Sequence, residues 1–301
     1  MDANTLTATK QLLDYITRDK STLYVICPFN IGDFLINGGL CHALVKRKRK
    51  QSCVLIERDR FANCGLNFVG VKEVQYISQT LMNSIRHYVY ATRETETDNY
   101  VYGHFQMKSN FEDWKNGLIV NWKLSFVDAY KENVFSLPLD TELIPPIIEN
   151  VPDISKDRLN DAYFLDKKRT IILTPYANSR RYLEESFWER LVAELKKKNK
   201  DYVIYTNVAS PREKVISGTA PIVTTFPELA YIAEKVNCFI GLRSGILDLL
   251  AFTNARILYT GGGYFSNLER NFNHTNSIEF PESELTQNVG SFIEKIVSAV
   301  N

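Results

Sequence analysis

The sequence has no apolar run near the ~18–20 residues that a membrane-crossing helix needs, so none is predicted. Residues Met1–Lys10 are polar and contain no signal-peptide h-region, and a cytoplasmic location is expected. Cysteine is scarce: Cys27, Cys41, Cys53, Cys64 and Cys238 are odd in number and form no CxxC pair. That excludes a secreted disulfide framework and a zinc ribbon, and buried thiols are expected. His42, His87, His104 and His274 show neither HxxxH nor HxH spacing, so no metal site is predicted. No strand-like run is followed by GxGxxG, which disfavours a Rossmann dehydrogenase. Net charge is nearly absent. Thirty-six basic against 35 acidic side chains leave +1, which disfavours a dedicated nucleic-acid binder.

What is present suits two α/β domains. The chain has 301 residues, 45% of them hydrophobic. Leu23–Cys27, Cys53–Ile56 and Val74–Ile77 read as strands, with helices over residues 5–19 and 34–45 and a helical piece at 61–66. The aromatic-rich stretch 80–140 gives no clear pattern beyond a helix ending near Tyr130. Pro138, Pro145, Pro146 and Pro152 mark residues 136–160 as a junction. A second alternating series then begins at Thr170–Thr174. Glu184–Lys198 is a strongly amphipathic helix with Phe187, Trp188, Leu191, Val192 and Leu195 on one face. Strands are expected at 202–205, 222–223, 238–240 and 256–259, and helices at 227–236, 244–252 and 291–300. The expected fold is two doubly wound, Rossmann-like domains, 1–155 and 156–301, facing an interdomain cleft. The last helix is a candidate to pack back on the first domain. Ligands of such sheets bind at strand carboxyl ends.

Three strand-to-helix turns stand out there. In Pro28–Asp33, Asn30 and Gly32 precede Asp33, which is either a first-turn helix residue or a carboxylate base. Thr174–Arg181 offers Ser179, Arg180 and Arg181, donors suited to a phosphate or to solvent. Gly241–Ala251 runs from a strand through Arg243, Ser244 and Gly245 into an apolar helix that carries Asp248. This reads as an anion site or as a capped helix. Thr206, Asn207 and Gly262 lie in candidate nucleoside-facing loops, and Glu228 is a helix-start carboxylate or a ribose ligand. Lys46–Lys50 reads as a solvated helix end, with peripheral contact to anionic lipid as the alternative.

These turns, in this order and spacing, resemble the heptosyltransferase-type (family 9-like) GT-B glycosyltransferases. The likeness covers both ends of the chain and not residues 80–165. It implies inverting transfer of a sugar from a nucleotide-diphosphate donor to a glycan, glycolipid or protein acceptor, as in polysaccharide biosynthesis. The nucleotide sugar is a substrate; no cofactor and no obligatory metal are implied, and the sequence has no Asp-x-Asp motif in a turn. The resemblance makes Asp33 the general base and Arg180 or Arg181 the group that stabilises the leaving diphosphate. It makes Ser244 and Gly245 phosphate contacts. The chain departs from the family where Arg243 replaces a frequent Asp and Asp248 a frequent His; the Arg243 exchange resembles fucosyltransferase-like enzymes. A hexosyl- or heptosyltransferase is thus expected. The alternatives are a GT-B epimerase or hydrolase of sugar nucleotides, and a non-catalytic binding protein.

Overall fold

The apolar runs form two parallel sheets, one in each of two units, Met1–Ile147 and Ile148–Asn301. The structure is a computed structural model that describes residues 2–62, 64–104, 124–177, 183–210, 213–261, 267–285 and 288–300. The division falls inside the proline-rich stretch.

In the first unit α1 (Ala3–Ile16) leads into β1 (Thr22–Ile26), α2 (Ile31–Lys48), β2 (Ser52–Arg58), β3 (Val71–Ile77), α3 (Gln79–Thr92) and β4 (Tyr100–Tyr102). The sheet order is β3-β2-β1-β4, with every neighbouring pair parallel. All five residues of β1 are buried, which is why the strand reads as a continuous apolar run and not as an alternation. Helices α1 and α3 cover one sheet face with Leu13, Met82, Ile85 and Val89. α2 packs on β1 and β2 and is buried from Ile31 through Cys41, hence its nearly all-round apolar first half.

Three local readings change. Of the helical piece expected at 61–66, the described residues 61, 62 and 64–66 hold no α-helix; Phe61 instead ends a single 3₁₀ turn, Asp59–Phe61. α3 lies in the stretch without a clear pattern, although Ser78 caps it by accepting from the Leu81 N–H at 3.2 Å. Its buried residues Met82, Ile85, Tyr88 and Val89 fall at helical spacing. The helix expected to end near Tyr130 is described only as a short turn, α4 (Phe126–Ala129), which widens into a π turn at Tyr130–Val134.

The basic run at the end of α2 is largely engaged. Arg47 Nη2 and Lys48 Nζ reach the same Glu96 carboxylate oxygen, at 2.6 and 2.5 Å. Lys50 Nζ donates to Asn99 Oδ1 and to the Lys20 carbonyl. Lys46 and Arg49 point outward. No helix among the described residues is long and apolar enough to cross a membrane.

The second unit comprises α5 (Asp153–Ala162), β5 (Thr170–Thr174), α6 (Glu185–Lys198), β6 (Val203–Asn207), β7 (Ala220–Ile222), α7 (Phe226–Ala233), β8 (Cys238–Leu242), α8 (Gly245–Leu250), β9 (Ile257–Gly261), α9 (Leu268–Phe272), β10 (Ser277–Pro281) and α10 (Val289–Ala299). The all-parallel order is β10-β9-β8-β5-β6-β7. Pro152 does not interrupt structure here. It sits at the N-cap of α5, where its missing N–H is harmless, and Leu159 anchors that helix in the core. The apolar face of α6 is buried as its periodicity predicts, and α10 covers it with Phe292, Ile293 and Ile296. The last helix thus contributes to the core of its own unit.

In each sheet the unit's first strand lies beside its fourth, β1 beside β4 and β5 beside β8. The chain order reverses at both places. At the second, Gly241 pairs with Thr174, and a Cβ on Gly241 would overlap Thr174 Oγ1 and stand 2.6 Å from its carbonyl oxygen. Gly241→Ala should destabilise the unit by about 2 kcal/mol through overpacking, as read by chemical denaturation.

Candidate active site

Both strand-order reversals carry polar side chains in otherwise apolar surroundings. In the first unit β1 ends at Ile26, and Asn30 is the N-cap of α2. Asp33 occupies the first turn, and its Oδ2 accepts from the Asn30 N–H at 3.1 Å. Gly32 is buried beside it, and Asn30 Oδ1 accepts from Arg60 Nη2 at 2.8 Å. Asp33 thus serves the helix start, as the plain reading allows. Its carboxylate has further company. Tyr130 Oη donates to Asp33 Oδ1 at 2.5 Å, and His104 Nε2 lies 3.8 Å from that oxygen.

The supporting contacts are specific. The His104 ring stacks on Phe29 with centroids 3.9 Å apart. Asn37 Nδ2 bridges the Asp33 carbonyl, at 2.6 Å, to the Gly103 carbonyl, at 3.1 Å. A side chain on Gly103 would collide with that amide, so glycine there permits the close approach. Burial pushes the His104 imidazole down to about 4 against the opposing pull of Asp33, so it is neutral at pH 7. Burial, then the charge and hydrogen bond of Asp33, push the Tyr130 phenol well up. On the neighbouring strand end, burial raises the Glu57 carboxyl to about 8, although Arg58 donates to it from backbone and side chain.

In the second unit β5, β8 and β9 end side by side. Thr174, Ser244 and Thr260 bring three buried hydroxyls there, none with a hydrogen-bond partner among the described residues. Ser244 is the N-cap of α8, yet its side chain makes no capping bond. Gly245 opens that helix. Arg243 and Asp248, both buried, form an ion pair. Arg243 Nη1 also donates to the Ser244 carbonyl at 3.3 Å, and the guanidinium lies 5.7 Å above the Phe272 ring. Arg243 is therefore charge-compensated from within its own turn.

The weaker sequence candidates are tied to the fold. Thr206 Oγ1 lies 2.6 Å from Thr219 Oγ1 and accepts from the Ile216 N–H, and Asn207 is buried at the end of β6. Glu228 Oε2 accepts from the Thr225 N–H at 2.9 Å, and its Oε1 accepts from Arg158 Nη2 at 2.5 Å. Ser179, Arg180, Arg181 and Gly262 lie outside the described residues. Sequence reasoning missed His104, Tyr130, Thr174 and Thr260 as site residues. For His104 a signal existed, since an apolar Tyr-Val-Tyr run followed by Gly103 repeats the strand-then-turn pattern. Tyr130 has no local signal. All five cysteines are buried and free. No group of three or more His, Cys, Asp or Glu among the described residues is placed to hold a metal ion.

Two measurements check this chemistry. Arg243→Ala leaves Asp248 buried without its guanidinium, and a loss of about 3–5 kcal/mol is expected; Arg243→Met with Asp248→Leu should restore most of it. The second concerns His104, which the folded state holds neutral below its ordinary value of 6.5. The unfolded chain binds the extra proton first, so stability falls as pH drops from about 6.5 to about 4. His104→Phe should flatten that limb, worth up to about 3 kcal/mol, in denaturation series at stepped pH.

No family model matches the chain, and no curated protein matches it in sequence. Solved structures do. A glycosyl transferase of family 9 from Veillonella parvula is 12% identical with a TM-score of 0.59, over 93% of this chain and 96% of that one. The ADP-heptose lps heptosyltransferase II of E. coli is 11% identical with a TM-score of 0.58, over 92% and 98%. The E. coli heptosyltransferase WaaC, described with ADP, is 11% identical with a TM-score of 0.51, over 91% and 99%. The chain has the GT-B fold of these glycosyltransferases, two doubly wound Rossmann-like units joined in one polypeptide.

Proposed function

We propose that this protein is a glycosyltransferase that moves a sugar from a nucleotide-diphosphate donor to an acceptor hydroxyl, with inversion and without a required metal. The observation that carries the reading is the pair of polar clusters at the two strand-order reversals of a GT-B chain. One offers an ionisable carboxylate and the other a group of buried donors. A transfer of this kind needs a base for the attacking hydroxyl and stabilisation of the charge that develops on the leaving group.

Asp33 takes the base role. The acceptor O–H bond breaks and its proton passes to the carboxylate. The oxygen's electron pair bonds to the anomeric carbon, and the bond from that carbon to the diphosphate breaks with its pair on the phosphate oxygen. Thr174, Ser244 and Thr260 are the donors proposed for the diphosphate, where buried hydrogen bonds act with less screening than in water. Because Arg243 is compensated by Asp248, the net positive charge is assigned to Arg180 and Arg181. Thr206, Asn207 and Gly262 remain the proposed nucleoside-side residues. The proposed acceptor is a glycan, a glycolipid or a protein.

The test is calorimetry of the full chain with ADP, UDP, GDP and dTDP, followed by a turnover assay with the matching sugar nucleotides. Binding of at least one nucleoside diphosphate is expected. Asp33→Asn should keep that binding and lower turnover roughly 100- to 10,000-fold, the usual weight of a general base. Failure to bind any of the four removes the proposal. Release of free sugar without acceptor would redirect it to hydrolysis, and an epimerised donor to epimerisation.

A further inference from the structure

The Asp33 carboxylate is held by a residue from a distant part of the chain. Tyr130 stands 97 residues away, and its phenolic oxygen lies 2.5 Å from Asp33 Oδ1, within the range of a charge-assisted O–H···O⁻ bond. The other oxygen, Oδ2, takes the Asn30 N–H. With one fixed donor on each oxygen the carboxylate cannot rotate, while each oxygen keeps acceptor capacity.

Tyr130 is built to stay in place. Its ring is fully buried and touches Phe126, Phe135 and His104, with centroids 5.3, 6.0 and 6.2 Å away. It is the first residue of the π turn that follows α4. Such widened turns redirect side chains and recur at functional sites. Of the three polar groups, Asp33 is the outermost, its side chain 12% exposed against 7% for His104, and Tyr130 is fully buried. Asp33 is thus the most accessible of the three.

We propose that Tyr130 is a positioning residue for the transfer reaction, its O–H fixing Asp33 Oδ1 so that the carboxylate meets the acceptor hydroxyl in one orientation; this rests on the transferase reading above. In the step the acceptor proton goes to Asp33, and Tyr130 keeps its own proton throughout. The raised phenol supports that, since an ionised Tyr130 beside Asp33 is disfavoured by burial and by like charge. Among the described residues, the ionisable groups near Asp33 are Tyr130 from the π turn, His104 after β4 and Cys27 after β1. A purely structural role would need only a phenylalanine in this aromatic cluster. Tyr102, at the same sheet, supplies the contrast: its buried hydroxyl has no hydrogen-bond partner among the described residues.

The experiment compares the full-length wild type with Tyr130→Phe, Asp33→Asn and the control Tyr102→Phe. Proton NMR should show a far-downfield, exchange-protected hydroxyl resonance that disappears in both Tyr130→Phe and Asp33→Asn and persists in Tyr102→Phe. Nucleoside-diphosphate release from ADP-, UDP-, GDP- and dTDP-sugars, with a panel of glycan, glycolipid and protein acceptors supplied and the acceptor-free rate subtracted, then separates kcat from KM. Tyr130→Phe should lower kcat roughly 10- to 100-fold with donor KM unchanged, as expected for a misplaced reacting group. Absence of the resonance, or a Tyr130→Phe kcat equal to that of Tyr102→Phe, overturns the proposal. Wild type that releases no nucleoside diphosphate, or Asp33→Asn with full turnover, overturns the transferase or base reading itself. An inactive Asp33→Asn beside a fully active Tyr130→Phe overturns the positioning role alone.

Discussion

A parallel strand buried on both faces has one place to offer a functional polar side chain, its carboxyl end. Along β1, β5 and β8 every residue is buried. Their backbone groups pair with neighbouring strands, and their side chains enter the core. Chemistry is therefore forced to the strand ends, and most readily to the reversals of strand order, where successive helices leave in different directions. Asp33 and His104 stand at the ends of β1 and β4. Thr174, Ser244 and Arg243 stand at the ends of β5 and β8. The same constraint explains why Gly241 and Gly103 lack side chains, since each lies where a neighbour's polar atom presses on the backbone.

Burial also decides how charge is carried. Arg243 and Asp248 are both buried, and the structure places them in contact. Losing either partner would leave the other charge buried without a counter-charge. Together they keep the turn neutral. The guanidinium then orders the Ser244 carbonyl and the Phe272 ring, and its full charge is not presented to a ligand.

Much of the fold was legible because periodicity reports burial directly. The apolar face of α6 is right residue by residue, and the continuous runs 23–27, 170–174 and 238–240 are central strands. Proline misled at 152, since a residue that breaks a helix interior is favoured at its start. Asp33 and Ser244 were legible because each sits one turn after an apolar run. Tyr130 was not, because its meaning comes from a partner 97 residues earlier and from a π turn that no hydrophobic spacing predicts. Thr174 and Thr260 look like ordinary strand threonines until the register sets them beside Gly241 and Leu242.

The near-zero net charge acquires a physical meaning at this level. Lys48 and Arg47 meet Glu96, Arg158 meets Glu228 and Arg243 meets Asp248. A chain whose cations are paired in this way has little long-range field with which to attract a polyanion. The proposed binding of one small anion does not need such a field, because the donors assigned to it are short-range. Three buried hydroxyls at adjacent strand ends act over hydrogen-bond distances and are little screened by salt, whereas surface cations act over a Debye length and are. Nucleotide affinity built mainly on such donors would depend only weakly on ionic strength. The contribution of Arg180 and Arg181 would appear as whatever salt dependence remains.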